Sequence, residues 1–434
     1  MVMDAIAELR NRVRDLDAEL LRLLAARFEL TDRIGSEKRG MGLPAYAPET
    51  EKEVVSRARD LAGELDISPA MAEAVMRTAM AEARLRQESG GAVQAGNRNM
   101  ELARYMPPPM DFKGAVPAAD AAAATVEGCR ESIRRILDGA DDRLILIVGP
   151  CSIHDIGQAV EYAGLLRGLQ EKVGDRFLLL MRAYVEKGRS GTGWTGFLTD
   201  PRLDGSGDVQ EGVIETRKLL NRLGEMGVPA AVEFINPLVP AYIGDLVSWA
   251  AIGARSSGSQ IHRDMASGLP MPMGFKNGLD GGIEAAIGAV GSAGMGHDFL
   301  GLDDNGSITA FRTRGNPHCH PVLRGGERPN YDAGSMGRAL KELAGAGLRP
   351  KLMVDCSHGN SGKVAENQAG VFRNVMGQIA AGNRGIIGLM LESHLNPGRQ
   401  DPGPELRHGV SVTDECLGWN DTEKLVLEGY RQLL

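Results

Sequence analysis

Four residues of three chemical kinds could together bind a transition metal. They lie in four separate motifs: Cys151 in Gly-Pro-Cys-Ser-Ile-His-Asp, His358 in Asp-Cys-Ser-His-Gly-Asn-Ser, Glu392 in Leu-Glu-Ser-His-Leu and Asp414 in Val-Thr-Asp-Glu-Cys. One thiolate, one imidazole and two carboxylates form a ligand set of mixed softness, which favours Mn, Fe, Co or Zn over Mg or Ca. No short Cys-x-x-Cys or His-Glu-x-x-His spacing supports the set. Two alternatives to metal binding therefore remain: Cys151 is a small buried apolar group, and His358 is a core histidine.

A second group of residues could bind anions. Several cations at one place repel one another unless polyanions lie between them, and the planar Arg guanidinium matches phosphate and carboxylate geometry. We therefore expect phosphorylated substrates, with pairing of each cation to a surface acid as the alternative. The six basic residues of this group are Arg182, Lys187, Arg189, Arg255, Lys276 and Arg324.

Short apolar runs separated by helix-length segments must position these residues. Eight such runs lie at 144–148, 177–184, 229–235, 249–254, 273–275, 299–302, 352–354 and 386–391. This alternation predicts a (β/α)8 barrel whose parallel strands are buried on both faces, with a doubly wound open sheet as the alternative. Most of the candidate residues fall where a run ends and a βα loop begins, which is where barrel enzymes place their chemistry. Asp303 would end the sixth strand, and Glu233 lies in the third.

The N-terminal part of the chain has a different periodicity. Apolar residues recur every three or four positions from Ile6 to Ile34, which predicts one long helix, and Arg27 interrupts that apolar stripe. Further helices are predicted at 49–65 and from Ser68-Pro69 to about residue 87. A Gly- and Pro-containing linker follows. We predict a helical domain at 1–90, a linker at 91–114 and the barrel at 115–434.

Composition excludes several classes of protein. The chain has 434 residues, with 49 basic and 57 acidic side chains and a formal net charge of -8, which argues against nucleic-acid and membrane-surface binding. Its five cysteines are widely spaced and do not form a secreted disulfide framework. No apolar signal core opens the sequence and no run of 18 apolar residues occurs. A cytoplasmic protein without membrane or nucleic-acid partners is therefore expected.

The motifs of the C-terminal part resemble those of type I 3-deoxy-D-arabino-heptulosonate 7-phosphate (DAHP) synthases, in the branch found in enteric bacteria. The resemblance covers about residues 115–434 and is specific because many separated motifs occur in the same order. The peptides that carry it lie at 149–155, 249–255, 274–281, 323–326, 392–395 and 412–419.

This resemblance implies a metal-dependent condensation of phosphoenolpyruvate with erythrose 4-phosphate, the first step of the shikimate pathway to the aromatic amino acids. It implies that a divalent metal acts as a Lewis acid on the aldehyde oxygen, with protons managed by Glu233 or by a metal-bound water. Matching motifs assign the metal to Cys151, His358, Glu392 and Asp414, and phosphoenolpyruvate to Arg182, Arg255, Lys276 and Arg324. They assign the aldose phosphate to Lys187, Arg189 and Ser190, with Lys187, Cys151 and His358 as catalytic residues.

The sequence departs from the family pattern around the aldose-binding motif. Where the family has Lys-Pro-Arg-Thr-Thr, this chain has Lys-Gly-Arg-Ser-Gly at 187–191, so proline is lost at Gly188 and a hydroxyl at Gly191. Ser-Ser-Gly-Ser at 256–259 replaces Thr-Thr-Glu-Ser, and Cys356 replaces Phe. We predict that a different aldose phosphate is accepted.

The helical domain resembles the all-helical chorismate mutases over about residues 4–88. The residues that match the chorismate-binding positions are Arg10, Arg27, Lys38, Glu51 and Gln87, with Lys38 and Gln87 as the catalytic pair. An anionic substrate would pair the Arg27 guanidinium, which explains its place in the apolar stripe. The resemblance also implies that two chains interleave their long helices and that Arg10 of one completes the site of the other. A homodimer or homotetramer is therefore expected.

The mutase pattern is incomplete. Ala47, Thr50 and Ala83 stand where Asp, Arg and Ser are usual, so we expect weakened conversion of chorismate to prephenate. Three hypotheses remain open: a bifunctional enzyme, a DAHP synthase whose helical domain is an allosteric sensor of chorismate or prephenate, and a paralogue that uses another aldose phosphate or serves as a partner scaffold.

Overall fold

The computed structural model describes residues 2–43, 47–88, 106–189, 191, 193–403 and 405–434. Contacts divide the chain into two compact units, Met1–Tyr105 and Met106–Leu434. This division falls inside the predicted linker, and a short helix, Pro109–Ala115, occupies the C-terminal end of that segment. The domain boundaries at 90 and 115 stay a prediction.

The first unit consists of helices in its described part. Proline is the first residue of its second and third helices. Its missing N–H costs nothing there, because an N–H at this position has no acceptor within the helix. The second helix packs against the third, and the third against the first. The three helices are α1 Val2–Gly40, α2 Pro48–Glu64 and α3 Pro69–Glu88.

The apolar stripe of α1 remains largely exposed in a single copy of this unit. The predicted helix is confirmed, but more than half of the surface of each of its central leucines faces solvent. These leucines are Leu9, Leu16, Leu23 and Leu30. Val55, Ala62 and Met80 are buried instead, on α2 and α3. None of the described helices combines the length and the apolar character needed to cross a bilayer.

A closed parallel barrel forms the second unit, which confirms the predicted fold class. Its strands follow the order β1-β2-β3-β4-β5-β8-β9-β10, and β10 pairs with β1 to close the sheet. The strands of the unit are β1 Leu144–Gly149, β2 Phe177–Arg182, β3 Ala230–Glu233, β4 Trp249–Ile252, β5 Met273–Lys276, β6 Asp298–Leu302, β7 Ile308–Arg312, β8 Cys319–Leu323, β9 Leu352–Asp355, β10 Ile386–His394 and β11 Leu417–Gly418.

Helices connect the barrel strands and pack around them. Three of the helices begin with an aspartate whose side chain accepts a backbone N–H three residues on, namely Asp155, Asp208 and Asp332. The helices of the unit are α4 Pro109–Ala115, α5 Asp120–Asp138, α6 Ile156–Val173, α7 Val209–Glu225, α8 Val239–Ile243, α9 Gln260–Gly268, α10 Glu284–Ala293, α11 Ala333–Gly345, α12 Asn367–Ala380 and α13 Trp419–Gln432, with a 3₁₀ turn at Gly244–Leu246.

The sixth predicted strand was wrong. The run at 299–302 belongs to β6, which pairs only with β7 in an antiparallel hairpin outside the barrel. The hairpin alternates between exposed and half-buried residues, as a two-stranded element with one solvated face must. Asp303 consequently lies in the hairpin turn, where its carboxylate accepts the backbone N–H groups of Asn305 and Ser307.

The sixth barrel strand is β8, which pairs with β5 and β9. Its sequence, Cys-His-Pro-Val-Leu, contains a histidine and a proline and so lacks the continuous apolar character of a buried strand. His320 is nevertheless fully buried, because its Nε2 atom accepts a hydrogen bond from the indole N–H of Trp249 at 3.2 Å. Burial lowers the pKa of His320 to about 4, so its ring is neutral at physiological pH.

Alternate residues of each strand belong to two different apolar clusters. Leu146, Leu179 and Val232 pack outward against the helices. Ile147, Leu180 and Trp249 belong to a separate cluster that fills the barrel interior. Helix α5 adds Ile133, Ile136 and neighbouring side chains to the inner cluster, so it covers the N-terminal end of the barrel. The C-terminal end is left for polar residues.

Candidate active site

The inward-facing positions change from apolar to charged at the C-terminal end of the barrel. Ile145 and Ile147 of β1 and Leu178 and Leu180 of β2 are apolar. Successive residues of a strand alternate between its two faces, so every second position faces inward. The next inward positions toward the C-terminal end carry ionisable side chains. These side chains are Arg182 on β2, Glu233 on β3, Lys276 on β5, Arg324 just after β8, Asp355 on β9 and Glu392 on β10.

Three of the four predicted metal ligands meet at this end. One ligand atom from each of Cys151, Glu392 and Asp414 lies within 4.8 Å of the others. The Cys151 Sγ atom is 3.4 Å from Asp414 Oδ2. His358 borders the group, with its Nε2 atom 3.7 Å from Glu392 Oε1. A thiol, two carboxylates and an adjacent imidazole suit a divalent transition metal.

The Cys151 thiol is neutral in this arrangement. Burial, together with the nearby Glu392 carboxylate, raises the pKa of Cys151 to about 11, although the Lys187 ammonium 3.1 Å from its sulfur opposes the shift. Burial alone would raise the pKa of Asp414 too, but the charges of Lys187 and His358 hold it below its ordinary value. A cation that binds through this sulfur must therefore displace the thiol proton.

The orientation of His358 is fixed by its neighbours. Its backbone has φ 57°, a left-handed conformation that non-glycine residues adopt only where the surroundings hold them. Its Nδ1 atom is 2.9 Å from Asp355 and 2.7 Å from Ser357 Oγ. Nε2 therefore faces Glu392, as in the carboxylate–histidine pairs that support metal sites.

Arg182 links the candidate metal-ligand cluster to the cationic group. Its side chain is almost completely buried, and its Nη2 atom donates to Glu392 Oε1 at 2.7 Å. The same guanidinium donates to the backbone carbonyls of Pro150 and Cys151 at 3.1 and 3.2 Å. One carboxylate, Glu392, thus contacts the candidate metal ligands on one side and a buried cation on the other.

Lys276 is held between two carboxylates. Its Nζ atom is 3.2 Å from Glu233 Oε2 and 3.3 Å from Asp355 Oδ2. Burial alone would lower the pKa of Lys276, but the neighbouring Tyr184, Glu233 and Asp355 raise it above its ordinary value. The ammonium group is therefore charged in the folded protein.

All six predicted cations line one cavity of about 1250 Å³, together with Glu233, His358 and Asp414. Arg324 is 7% exposed, and no carboxylate of the described chain lies within 4 Å of its guanidinium. Arg189 donates to the backbone carbonyl of Trp194 at 3.0 Å. Ser190, the remaining predicted aldose-binding residue, lies outside the described residues.

The loop after β2 leaves room at its two unusual glycines. A Cβ atom at Gly188 would meet Ile235 Cδ1 at 3.7 Å and Arg255 Nη1 at 3.9 Å, which is ordinary van der Waals contact. A Cβ atom at Gly191 would meet no described atom within 4 Å.

Glu186 links the loop after β2 to the loop after β3. Its two carboxylate oxygens accept the backbone N–H groups of Ile235 and Asn236 at 3.2 and 3.1 Å. Burial raises the pKa of Glu186 to about 7, despite these two hydrogen bonds and with a contribution from Glu233.

The sequence interpretation missed several residues of the site. Asp355, Tyr184 and Glu186 stood at or near the ends of predicted strands but were not selected. The signal that could have found Asp355 and Tyr184 is the alternation of strand residues, because both share the inward parity of a predicted strand. Lys363, which lines the same cavity from the loop after β9, carried no comparable signal.

In the helical unit, the predicted chorismate-binding residues make mainly structural contacts. Gln87 donates through Nε2 to the backbone carbonyl of Thr31 at 2.8 Å, and its Oε1 atom is buried with no hydrogen-bond partner among the described residues. Arg27 donates to the carbonyl of Ala79 at 3.2 Å, and Glu51 is 3.5 Å from Arg84.

Arg10 and Lys38 lie far apart on one helix. Both belong to α1, and Lys38 is in its last turn. A separation of 28 positions at 1.5 Å per residue corresponds to roughly 42 Å. Within a single chain, therefore, Arg10 and Lys38 cannot contact the same small molecule.

A parallel eight-stranded barrel with a metal-ligand cluster and a cationic cavity at the carboxyl ends of its strands defines a (β/α)8-barrel enzyme. The model of the DAHP synthetase I family matches residues 118–427, and the chain belongs to this family. Residues 9–88 match the model of chorismate mutase type II. Both resemblances drawn from the sequence are confirmed.

Similar proteins agree with this assignment. The Tyr-sensitive phospho-2-dehydro-3-deoxyheptonate aldolase of Salmonella typhimurium is 47% identical over 328 residues, which cover 75% of this chain and 92% of the relative. A phospho-2-dehydro-3-deoxyheptonate aldolase of Haemophilus influenzae is 43% identical over 322 residues, covering 74% and 89%. The solved structure of the Francisella tularensis aldolase has a TM-score of 0.76 and 39% identity, and the match covers 77% of this chain and 98% of that one.

Proposed function

We propose that the barrel unit condenses phosphoenolpyruvate with erythrose 4-phosphate to give DAHP, and that the helical unit rearranges chorismate to prephenate. The observation that carries the first part is the position of the Cys151, Glu392 and Asp414 cluster beside a cavity lined by six cations. Family membership and the matched relatives support the same reaction.

Cys151, His358, Glu392 and Asp414 would hold a divalent cation, Mn, Fe, Co or Zn. The donor set fits such an ion, because the soft sulfur excludes Mg and Ca as preferred occupants. The ion would supply Lewis-acid polarisation of the aldehyde oxygen. The protein's part is to hold the ligands in place: Asp355 and Ser357 orient His358, and Asp155 caps α6 at the end of the loop that carries Cys151.

Arg182, Arg255, Lys276 and Arg324 would bind phosphoenolpyruvate, which carries a phosphate and a carboxylate. Arg324 supports this assignment most directly. Its buried guanidinium has no carboxylate partner among the described residues, and such burial is costly unless an anion pairs it. Arg182, Lys276 and Arg324 are buried, and burial strengthens ionic contacts because the local dielectric constant is low.

Lys187 and Arg189 would face the aldose phosphate. In the condensation, C3 of phosphoenolpyruvate forms a bond to the aldehyde carbon, water adds at C2, and inorganic phosphate leaves. Glu233 is held charged, because Lys276, Lys187 and Arg182 lower its pKa below the ordinary value despite its burial. It can therefore accept a proton from the attacking water.

A homodimer follows from the helical unit as part of the proposal. Arg10 and Lys38 can serve one chorismate molecule only if they come from different chains, since roughly 42 Å of α1 separates them. The exposed leucine stripe of α1 offers the apolar surface that a second copy would cover. Ala47 and Thr50 weaken the expected activity, so a helical unit that binds chorismate or prephenate as a regulatory ligand is the second candidate.

The barrel proposal is tested by phosphate release from phosphoenolpyruvate with a panel of aldose phosphates. The full-length protein is stripped with a chelator and reloaded separately with Mn, Fe, Co and Zn. We expect phosphate release only with metal and aldose together. Release without any aldose, or with none of the aldoses after reloading, contradicts the proposed condensation. Preferred turnover of another aldose phosphate would identify a specialised paralogue.

The mutase proposal is tested by prephenate formation in the full chain. Replacing Lys38 by Ala should abolish it, whereas the matched substitution of Lys52, whose ammonium pairs with Glu49 on the surface of α2, should leave it unchanged. Unchanged activity in the Lys38→Ala protein rules out this site. A wild-type protein that binds chorismate without turnover supports the regulatory alternative.

A further inference from the structure

Tyr184 lies two residues beyond Arg182 and has the same inward-facing parity. It is 1% exposed and belongs to the inner apolar cluster together with Ile147 and Trp249. It does not line the cavity itself. Any effect of Tyr184 on a bound substrate must therefore be transmitted through its neighbours.

Two of the phosphoenolpyruvate-binding cations lie against its ring. The guanidinium carbon of Arg182 is 3.6 Å from the ring centre, and the Nζ atom of Lys276 is 5.4 Å from it. Both distances are within the range of cation–π attraction, which is strongest where water is excluded. The Tyr184 hydroxyl has no hydrogen-bond partner among the described residues, so the ring makes the specific contacts.

The ring offsets the repulsion between two buried cations. Arg182 and Lys276 are both buried and carry the same charge, and like charges repel strongly in a medium of low dielectric constant. Glu392 holds Arg182, while Glu233 and Asp355 hold Lys276. A further carboxylate between the two cations would occupy N–H donors that the substrate needs. An aromatic face attracts both cations without occupying any further N–H donor.

We propose that Tyr184 is a positioning residue whose ring holds Arg182 and Lys276 together for the phosphate and carboxylate of one phosphoenolpyruvate molecule. This inference rests on the proposed function of the cavity. It assigns the role to the aromatic face and none to the hydroxyl group.

The experiment compares variants of the full-length, metal-loaded protein. Tyr184→Phe keeps the ring and should leave the KM for phosphoenolpyruvate within about twofold of wild type. Tyr184→Leu removes it and should raise that KM by about tenfold, the effect of a desolvated cation–π contact. The matched control is Tyr162→Leu. Tyr162 is equally buried, but its ring packs edge-on against Trp419 at 5.3 Å, so this change should lower stability without raising the KM.

A second measurement decides the matter if Tyr184→Leu fails to fold. Phenylalanine with increasing numbers of ring fluorines at position 184 keeps the shape of the side chain and progressively weakens the negative face of the ring. The KM for phosphoenolpyruvate should rise stepwise along this series. A flat series, or a KM in Tyr184→Leu no higher than in Tyr162→Leu, overturns the inference, as does a defect in Tyr184→Phe equal to that of Tyr184→Leu.

Calorimetric titration with phosphoenolpyruvate separates this inference from the function on which it rests. A wild-type protein that binds the ligand, with variants that bind it equally well, refutes only the role of Tyr184. A wild-type protein that does not bind phosphoenolpyruvate refutes the proposed function of the cavity.

Discussion

Replacing Glu392 by Gln tests whether one carboxylate supports both the metal-ligand cluster and the buried cations. Its Oε1 atom lies 2.7 Å from Arg182 Nη2 and 3.7 Å from His358 Nε2, and the side chains of Glu392 and Arg182 are 3% and 1% exposed. Removing one charge of a buried ion pair costs roughly 3–5 kcal/mol. Because the Gln amide oxygen can still accept from Arg182, we expect a net loss of about 2 kcal/mol in unfolding free energy.

The matched control is Glu428→Gln on the barrel surface. Glu428 also pairs with an arginine, Arg373, at 2.8 Å, but the two side chains are 38% and 53% exposed. Exposed pairs of this kind contribute less than about 1 kcal/mol. The chemical change is the same in both variants, so the difference between them reports the effect of burial.

Urea unfolding of the chelated full-length protein, followed by tryptophan fluorescence, measures this difference. All three tryptophans of the chain, Trp194, Trp249 and Trp419, belong to the barrel unit, so the signal reports on that unit alone. In a parallel metal titration, Glu392→Gln should reduce the affinity at least about tenfold, the usual effect of losing a ligand or its support. Equal stability losses in the two variants, or an unchanged metal affinity, would refute the reasoning.

Three further predictions use the same reporter or a simple assay. Burial raises the pKa of Glu186 to about 7 from an ordinary 4.5, so its contribution to stability is complete below about pH 4.5 and is lost as pH rises through 7. Unfolding free energy should fall by about 3 kcal/mol over this window and by less in Glu186→Gln. Equal slopes in both proteins would contradict the assignment. Arg324→Met should raise the KM for phosphoenolpyruvate at least about tenfold while leaving unfolding free energy unchanged or higher, because the buried guanidinium has no carboxylate partner in the described part of the chain. A loss of stability without a change in KM would make Arg324 structural. Leu16→Glu, in the exposed stripe of α1, should convert the proposed dimer to monomer in sedimentation velocity, and an unchanged sedimentation coefficient would place the interface elsewhere.

The strand ends were predictable because a buried parallel strand reads as a continuous apolar run. Cys151 lies two residues after β1 in Gly-Pro-Cys, and Glu392 ends the apolar part of β10, so the sequence places both at one rim of the barrel. Barrel closure between β1 and β10 then brings Cys151 and Glu392 together, and the segment that follows β10 adds Asp414.

The sixth strand could not be recognised by the same rule. His320 and Pro321 interrupt its apolar character, and the cost of burying His320 is offset by a tertiary partner, Trp249, which lies on β4 and is distant in sequence. The run in β6 is more apolar locally but pairs only within a hairpin. Local composition does not specify which of two neighbouring runs completes a sheet.

The contacts within the site could not be predicted from the sequence either. The resemblance implied which residues would bind metal and phosphate, but it did not indicate that Arg182 and His358 both contact Glu392. Nor did it indicate the ring of Tyr184 beneath two cations. Such contacts arise from three-dimensional packing between strands far apart in the chain.

The two glycines in the loop after β2 lie at positions that tolerate larger side chains, unlike the enclosed cations of the barrel. Side chains could return at Gly188 and Gly191 without disturbing a neighbour, whereas Arg182 and Lys276 are enclosed by the barrel interior. Under the proposed function, substitutions at these two positions can change which aldose phosphate binds, while the residues proposed to bind phosphoenolpyruvate stay the same. A change of the deoxy-sugar acid product would then require substitutions in this loop and none in the barrel interior.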